Sequence, residues 1–193
     1  MELQNFVAKI HVEGPLQIDP AKVVDVFHQW VAKQTVPGVL LVDVAELLHV
    51  PKGPGVIAVG HEADYALDHT GNIWGVLYRR KTPLAGSNGD RIAQSVREAA
   101  RTGLLLQEAF AGALKFSRTT LELIVNDRAL APNTPETYAA ALPEIETALK
   151  SLLGHSEFKI TRHDQEPRQR FGVTVKAGKP FSLEKLAGAD HSP

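Results

Sequence analysis

The sequence predicts an α+β fold, in which a mixed, largely antiparallel sheet of about six or seven strands is packed by three helices. Segments with the period of a strand and segments with the period of a helix both occur along the 193-residue chain. The strands come in adjacent runs, in the order β-α-β-β-β-α-β-α-β-β, rather than in strict alternation with helices. Glycine- and proline-containing turns separate most of these segments.

The first strand and the first helix are predicted within residues 6–34. Residues 6–12, FVAKIHV, alternate between apolar and polar side chains, which is typical of a half-buried strand. Asp19 and Pro20 then supply an N-cap and a proline at the first helical position. We therefore expect a helix from about Pro20 to Gln34. Its apolar face holds Val23, Val24, Phe27, Trp30 and Val31.

Three further strands are predicted before the second helix. Residues 39–44, VLLVDV, are apolar except for Asp43, which predicts a strand covered on both faces. Residues 56–60, VIAVG, form a second short apolar run, and residues 73–80, IWGVLYRR, predict another strand. The intervening sequence HTGN, at 69–72, has the chemistry of a hairpin turn.

A long helix is expected over residues 90–114, with Asn88 or Asp90 as its N-cap. Gly103 and Gly112 lie inside this segment, where each glycine costs about 1 kcal/mol relative to alanine. We expect Gly103 to mark a close contact of the helix with another element.

The rest of the domain is predicted as a strand, a helix and a closing hairpin. Residues 120–125, TLELIV, alternate as a strand does. Thr134 caps a helix that runs to about residue 153, and Gly154 ends it. Residues 158–163 and 171–176 then form an antiparallel hairpin.

The chain is predicted to form one domain over residues 1–178. The polar link at 164–170 between the last two strands is expected to be exposed. Residues 179–193 are expected to be a tail that either contains a short helix at 182–186 or is disordered.

The overall composition excludes several classes of function. Positive and negative side chains nearly cancel, with 21 Lys and Arg against 22 Asp and Glu, which argues against nucleic acid as a partner. The chain has no cysteine, so thiolate metal sites, disulfides and thiol nucleophiles are excluded. The longest apolar-rich stretch, 36–50, is shorter than the ~20 residues that span a bilayer. We therefore expect a soluble, cytoplasmic protein with no membrane contact.

The richest concentration of polar and backbone-shaping residues is HVPKGPGVIAVGHEADYALD, at 49–68. In its first part, Lys52 lies beside Gly53 and Gly55, and such a loop can aim backbone N–H groups at a phosphate or carboxylate. It lacks the spacing of a P-loop and leads into a strand. The alternative interpretation is a rigid connection between two strands.

The second part of this stretch brings imidazole and carboxylate side chains together. If the chain stays extended after residue 60, His61, Ala63 and Tyr65 share one face, and Glu62 and Asp64 share the other. The sequence does not predict a bound metal. If a metal binds in this stretch, its ligands are expected to be His49, His61, Glu62 and Asp64, with Asp68 and His69 nearby. An acid–base pair is the second interpretation. The third is that the strand leaves the core here and its polar residues meet water.

Two further groups are candidates for ligand contacts. Asp43 interrupts an apolar strand, so it either points to a site shared with His49 or Lys52, or accepts hydrogen bonds from nearby backbone. Arg79 and Arg80 stand before the predicted N-terminus of the long helix, where an anion could bind. The competing interpretation is that the helix cap occupies the same backbone donors.

The leading hypothesis for function is a non-enzymatic domain that binds a ligand or a partner, because the sequence has no recognisable catalytic motif. The alternative is a metal-dependent or acid–base enzyme that uses the cluster at 43–69, with His61, Glu62 and His49 as catalytic residues. A further alternative is a phosphate or anion binder built from Lys52, Arg79, Arg80 and the glycine loop with Gly53 and Gly55. Asp43, Asp64 and Tyr65 are further candidates for ligand contacts. The sequence identifies no cofactor. A small anionic ligand or a protein is the expected partner, and a homodimer is left open.

Overall fold

The computed structural model describes residues 1–163 and 168–188. The strands are β1 (Phe6–Val12), β2 (Leu41–Leu47), β3 (Gly55–Gly60), β4 (Ala63–Asp68), β5 (Gly75–Arg80), β6 (Phe116–Val125), β7 (Phe158–Arg162) and β8 (Gly172–Ala177). The helices are α1 (Lys22–Lys33), α2 (Asn88–Ala109), α3 (Pro135–Leu153) and the short α4 (Leu183–Leu186). The short helix that was one of the two alternatives for the tail is present as α4, whereas residues 189–193 of the tail lie outside the described residues.

The strands form a single sheet in the order β2-β3-β4-β5-β1-β6-β8-β7. Every neighbouring pair of these strands is antiparallel. The predicted α+β class is confirmed. The described residues contain eight strands, more than the six or seven expected, and the additional strand is β4.

One face of the sheet is packed by helices. The long helix α2 contacts β1 and β5, α1 contacts β2 and β3, and α3 and α4 pack on α2. Gly103 lies where α2 approaches the sheet, because a Cβ there would be 3.3 Å from the Phe116 ring and 3.4 Å from Val76. The expected close contact is therefore present. Gly112 lies beyond the end of α2 with a φ of +78°, so the prediction that the helix continues to 114 was wrong.

The start of α2 is stabilised by a capping box. The Ser87 hydroxyl accepts from the Asp90 N–H, while the Asp90 carboxylate accepts from the Ser87 N–H at 2.8 Å. Ser87 is thus the N-cap, rather than the expected Asn88 or Asp90. Asn88 instead accepts from the Leu3 N–H at 2.8 Å, which fixes the N-terminal segment beside the helix.

The strand predicted to be covered on both faces, β2, is an edge strand. Val42 is 53% exposed and Leu40 is 59% exposed, so this prediction was wrong. The pattern was misleading because an apolar run also occurs where a short edge is protected by other means. The Gln34 side chain accepts from the Leu41 N–H at 3.1 Å and donates to the Leu41 carbonyl at 2.9 Å, as a neighbouring strand would. A register shift between Leu41 and Asp43 also interrupts the edge.

Substituting Gln34→Ala is expected to increase self-association, because it frees the two backbone groups of Leu41 for pairing with another chain. The loss of these bonds should also lower the free energy of unfolding by about 1 kcal/mol. Sedimentation velocity over a concentration series measures the first effect. Gln29→Ala, an exposed change on α1, is the matched control and should leave the protein as monodisperse as the wild type. Equal association of the two variants would contradict edge protection by Gln34.

Candidate functional site

The face of the sheet opposite the helices carries most of the buried charge of the described residues. Along β1, Phe6, Ala8 and Ile10 join the hydrophobic core, so the alternate residues lie on the opposite face. Cross-strand register extends that face over neighbouring strands. We call it the polar face, and its side chains include Val7, Lys9, His11, Asp64, Ala66, Asp68, Leu77, Arg79, Glu122, Ile124 and Thr174.

A buried ion pair lies near the centre of the polar face. Lys9 Nζ is 2.6 Å from Asp68 Oδ2, and both side chains are 3% exposed. The ammonium group also donates to the backbone carbonyls of Ile73 at 2.6 Å and Thr70 at 3.2 Å. Asp68 accepts in addition from the Thr70 hydroxyl at 2.7 Å and the Thr70 N–H at 3.1 Å. Both charges are therefore hydrogen-bonded on all sides, which a buried pair requires.

The position of Gly75 explains how Lys9 reaches Asp68. Gly75 is the register partner of both His11 and Asp68, so it lies between β1 and β4. A Cβ at this position would be 2.8 Å from Lys9 Cε, so the lysine stem crosses the backbone where there is no side chain.

A second buried carboxylate, Asp64, is neutralised at its own end of β4. The Arg79 guanidinium donates to Oδ2 through Nε at 3.1 Å and through Nη2. Lys81 Nζ forms an ion pair with Oδ1 at 2.8 Å, but Oδ1 accepts no hydrogen bond from the described residues. Asp64 is 4% exposed, whereas Arg79 and Lys81 are about one-third exposed, at 37% and 33%.

A small pocket of about 60 Å³ lies between these two carboxylates. Apolar residues form one part of its lining: Val7, Ile57, Ala66 and Leu77. The rest of the lining consists of Pro54, Asp64, Asp68, Thr70, Arg79 and Arg170. The pocket is therefore amphipathic.

Arg170 reaches this pocket from the link between β7 and β8. It is half-buried, so the prediction that the link is exposed was wrong at this residue; residues 164–167 lie outside the described part. Its backbone forms an isolated bridge with Pro132, and its guanidinium makes a single hydrogen bond to the described residues, a long one of 3.4 Å from Nη1 to Asn126 Oδ1. Burial lowers the pKa of Arg170, and the positive charges of Arg79 and Arg128 lower it further. The negative charge of Asp68 acts in the opposite direction and raises this pKa.

A larger cleft elsewhere on the surface is less suited to specific binding. It has a volume of about 550 Å³ and is lined by residues 12–17 and 111–115. Its two charged side chains, Glu13 and Lys115, are both exposed. Because exposed side chains are ordered only weakly, they fix a ligand less well than the buried groups of the polar face do.

Two histidines flank one carboxylate farther along the polar face. His11 Nε2 is 2.5 Å from Glu122 Oε1, and His163 Nε2 is 4.0 Å from Glu122 Oε2. Burial alone would raise the pKa of Glu122, but the hydrogen bond from His11 and the nearby positive charges outweigh it, so the pKa is lowered. Burial lowers the pKa of His163. The negative charge of Glu122 acts in the opposite direction but is the smaller effect.

These groups do not form a nucleophilic relay. His163 Nε2 lies 3.0 Å from the Thr174 hydroxyl, and the same nitrogen faces Glu122. In a Ser-His-Asp arrangement the carboxylate orients the other ring nitrogen. Here Nδ1 lies over Gly172, where a Cβ would be only 2.7 Å away. Among the residues that the structure describes, Thr174 therefore has no base oriented in this way.

The His163→Gln variant is expected to lose less stability than the wild type between pH 7.5 and pH 5.5. Burial holds the pKa of His163 below its usual 6.5, so the unfolded chain binds a proton that the folded chain does not. Wild-type stability therefore falls as the pH falls through 6.5 towards the folded pKa. Urea unfolding at both pH values measures this difference. His28→Gln, at an exposed residue, should keep the wild-type difference, and an unchanged difference in His163→Gln would refute the assignment.

The structure does not bring His49 and His61 together. His49 lies after β2 and His61 lies after β3, and both are exposed. The six residues of β3 between them span about 17 Å. Glu62 is exposed beside His61 in the turn to β4. Within residues 1–163 and 168–188, no group of three His, Asp or Glu side chains is placed to hold a metal ion.

The glycine loop before β3 is a tight connection. The Val50 N–H bonds to the Leu47 carbonyl and the Gly53 N–H bonds to the Val50 carbonyl, both at 3.0 Å. These donors are used inside the loop, and Lys52 is exposed. A Cβ on Gly53 would collide with Val50, at 2.7 Å. The geometry favours the rigid connection over the anion cradle.

Of the other predicted ligand contacts, Asp64 and Arg79 line the pocket, and the rest lie elsewhere. Asp43 is exposed and accepts from the Val44 N–H at 2.8 Å. Tyr65 points to the helix-covered side, where burial raises its pKa, and its ring lies 5.3 Å from that of Tyr78.

Arg80 also lies on the helix-covered side, where it pairs with Glu62 at 3.0 Å. At the N-terminus of α2 the capping box occupies the N–H groups of Asp90 and Ser87, which favours the cap over the anion site. Gly55, at the start of β3, approaches the backbone of β4.

Residues 61–68 were only partly understood from the sequence. The strand does not leave the core; it turns at His61 and Glu62 and returns as β4. Ala63 and Tyr65 share the core face and Asp64 lies opposite, in agreement with the alternation expected. His61 does not share their face, because it belongs to the turn.

The site residues that sequence reasoning missed are Lys9, His11, Glu122, His163 and Arg170. Asp68 was named only as a neighbour of the possible metal ligands. The sequence predicted that Lys9 and His11 lie on the solvent-exposed side of a half-buried strand. In the structure β1 is a central strand, with β5 and β6 as its neighbours. A lysine and an aspartate on separate strands give no local signal of pairing.

The sequence matches no model of a known protein family, and no curated protein matches it. None of the described helices is both long enough and apolar enough to cross a bilayer.

Proposed function

We propose that this chain is a non-enzymatic binding domain whose ligand site is the pocket on the polar face. The observation that carries the proposal is the burial of two carboxylates, each paired with cationic side chains, around a small pocket there. An antiparallel sheet packed by helices on one face commonly leaves its other face in water. Burying charge costs free energy, so a retained buried network favours a role in positioning groups.

Rigidity of the lining also supports the proposal. Asp68 is held by Lys9 and Thr70, and Asp64 is held by Arg79 and Lys81. Binding groups that are fixed before the ligand arrives lose little conformational entropy on binding. The cysteine-free composition fits the reducing cytoplasm, where we propose that binding takes place.

A pocket-filling substitution tests the proposal without knowledge of the ligand. Thermal unfolding is measured with a panel of sugars, amino acids, nucleotides, alcohols and small acids. A ligand at 100 times its dissociation constant adds about 2.7 kcal/mol, equivalent to about 5–10 °C in a domain of this size. We expect at least one class to stabilise the wild type and to lose this effect in Leu77→Trp.

Leu130→Trp, at a residue that is 53% exposed and outside the pocket, is the matched control. It should retain the shift seen in the wild type. No shift with any class, an equal shift in Leu77→Trp, or sustained turnover by the purified protein would each overturn the proposal.

A further inference from the structure

We infer that the pocket takes a small organic carboxylate, with its charged group between Arg79 and Arg170 and its short aliphatic body against Val7, Ala66 and Leu77. The inference rests on the function proposed above and names the ligand class of the same site. It follows from three features of the pocket: unmatched positive charge, free donors on the arginines and an apolar wall.

The charge around the pocket is unbalanced in favour of an anion. Two arginines and two aspartates line it. Each aspartate, however, already has a lysine beside it: Asp68 has Lys9 at 2.6 Å and Asp64 has Lys81 at 2.8 Å. The two guanidinium groups therefore add net positive charge.

The guanidinium groups have donors to offer. Asp64 accepts from Nε and Nη2 of Arg79, and within the described residues Nη1 has no hydrogen-bond acceptor. The Arg170 side chain makes a single hydrogen bond to the described residues, and that bond is long, at 3.4 Å. The guanidinium of Arg170 is also close enough to that of Arg79 for the two positive charges to repel each other. An anion between the two groups would relieve this repulsion and accept from both forks, which match the two oxygens of a carboxylate.

Size and polarity restrict the anion. About 60 Å³ is far below the 300–1,000 Å³ of sites that enclose drug-sized ligands, so a nucleotide does not fit. The walls formed by Val7, Ala66 and Leu77 offer no side-chain donors. A phosphate turns oxygens in every direction and would leave some of them desolvated against these walls. A short-chain carboxylate places its oxygens at the arginines and its methylenes against the walls.

Titration calorimetry with butyrate, 1-butanol and inorganic phosphate tests this inference. The wild type is expected to bind butyrate at least tenfold more tightly than 1-butanol or phosphate. Arg170→Gln should weaken butyrate binding at least tenfold. Arg97→Gln removes an equal charge from an exposed residue of α2, on the opposite side of the sheet, and should change the affinity less than twofold.

The possible results separate this inference from the proposal on which it rests. If another class of compound stabilises the wild type but not Leu77→Trp, and butyrate does not bind, the binding function stands and the carboxylate assignment fails. Phosphate binding as tightly as butyrate, or equal affinity in Arg170→Gln and the wild type, also overturns the assignment. Should Arg170→Gln not fold, Arg170→Lys, which keeps the charge without the fork, is expected to weaken butyrate binding severalfold; unchanged affinity in that variant overturns the assignment.

Discussion

Replacing Lys9 with methionine is expected to lower the free energy of unfolding by about 3–5 kcal/mol. Methionine keeps an unbranched stem over Gly75 but removes the ammonium that lies 2.6 Å from Asp68. The carboxylate, 3% exposed, would then be buried without a countercharge. Removing one member of a buried pair costs more than the pair contributes, because the remaining charge stays desolvated. Urea unfolding at pH 7 measures the loss.

A double-mutant cycle separates this effect from simple loss of packing. Asp68→Asn keeps an acceptor for the Thr70 N–H while removing the charge. Combined with Lys9→Met, it should cost less than the two single changes added together, since the double variant leaves no unpaired buried charge. Lys159→Met, at an exposed lysine on β7, should change stability by less than about 0.5 kcal/mol. A Lys9→Met variant within 1 kcal/mol of the wild type would contradict the predicted cost of the unpaired charge.

Local signals predicted most elements of the fold. The alternation in residues 6–12 gave β1, and the apolar spacing from Val23 to Trp30 gave the buried face of α1. The Thr134 hydroxyl accepts from the Thr137 N–H and Gly154 takes a φ of +72°, so both ends of α3 agree with the sequence. Each of these signals lies within a few residues of the structure it specifies.

The errors arose where long-range partners decide the outcome. One of the three interpretations of residues 61–68 was a strand that leaves the core, yet Asp64 and Asp68 are both buried, because cations from other strands reach them. The periodicity of a sequence shows which residues are polar, but it does not show which charged side chains form ion pairs in the fold. The apolar run of β2 was assigned to the interior for the converse reason, since Gln34, from the end of α1, protects its edge.

The candidate site was predicted only in part for the same reason. Asp64 was a candidate as a possible metal ligand and Arg79 as part of a possible anion site. The two meet because they are register partners on the adjacent strands β4 and β5. His11 and Glu122 are 111 positions apart and meet because β1 and β6 are neighbours in the sheet. Arg170 lies in a polar link whose composition gives no sign of burial. The site forms because strands that are distant in sequence are neighbours in the sheet, and the sequence pattern does not show which strands will be neighbours.

Gly55→Ala is expected to lower the free energy of unfolding by about 2–5 kcal/mol, because two penalties add at one position. Gly55 has a φ of +69°, which costs an L-residue roughly 1–2 kcal/mol. A Cβ there would also lie 2.2 Å from the Leu67 carbonyl oxygen, so β3 and β4 would have to separate. Gly71→Ala isolates the first penalty, since its φ is +74° and nothing lies within 4 Å of the added Cβ. Chemical denaturation should therefore show a loss of about 1 kcal/mol for Gly71→Ala, and similar losses in the two variants would show that the close approach of β3 to β4 is relieved without cost.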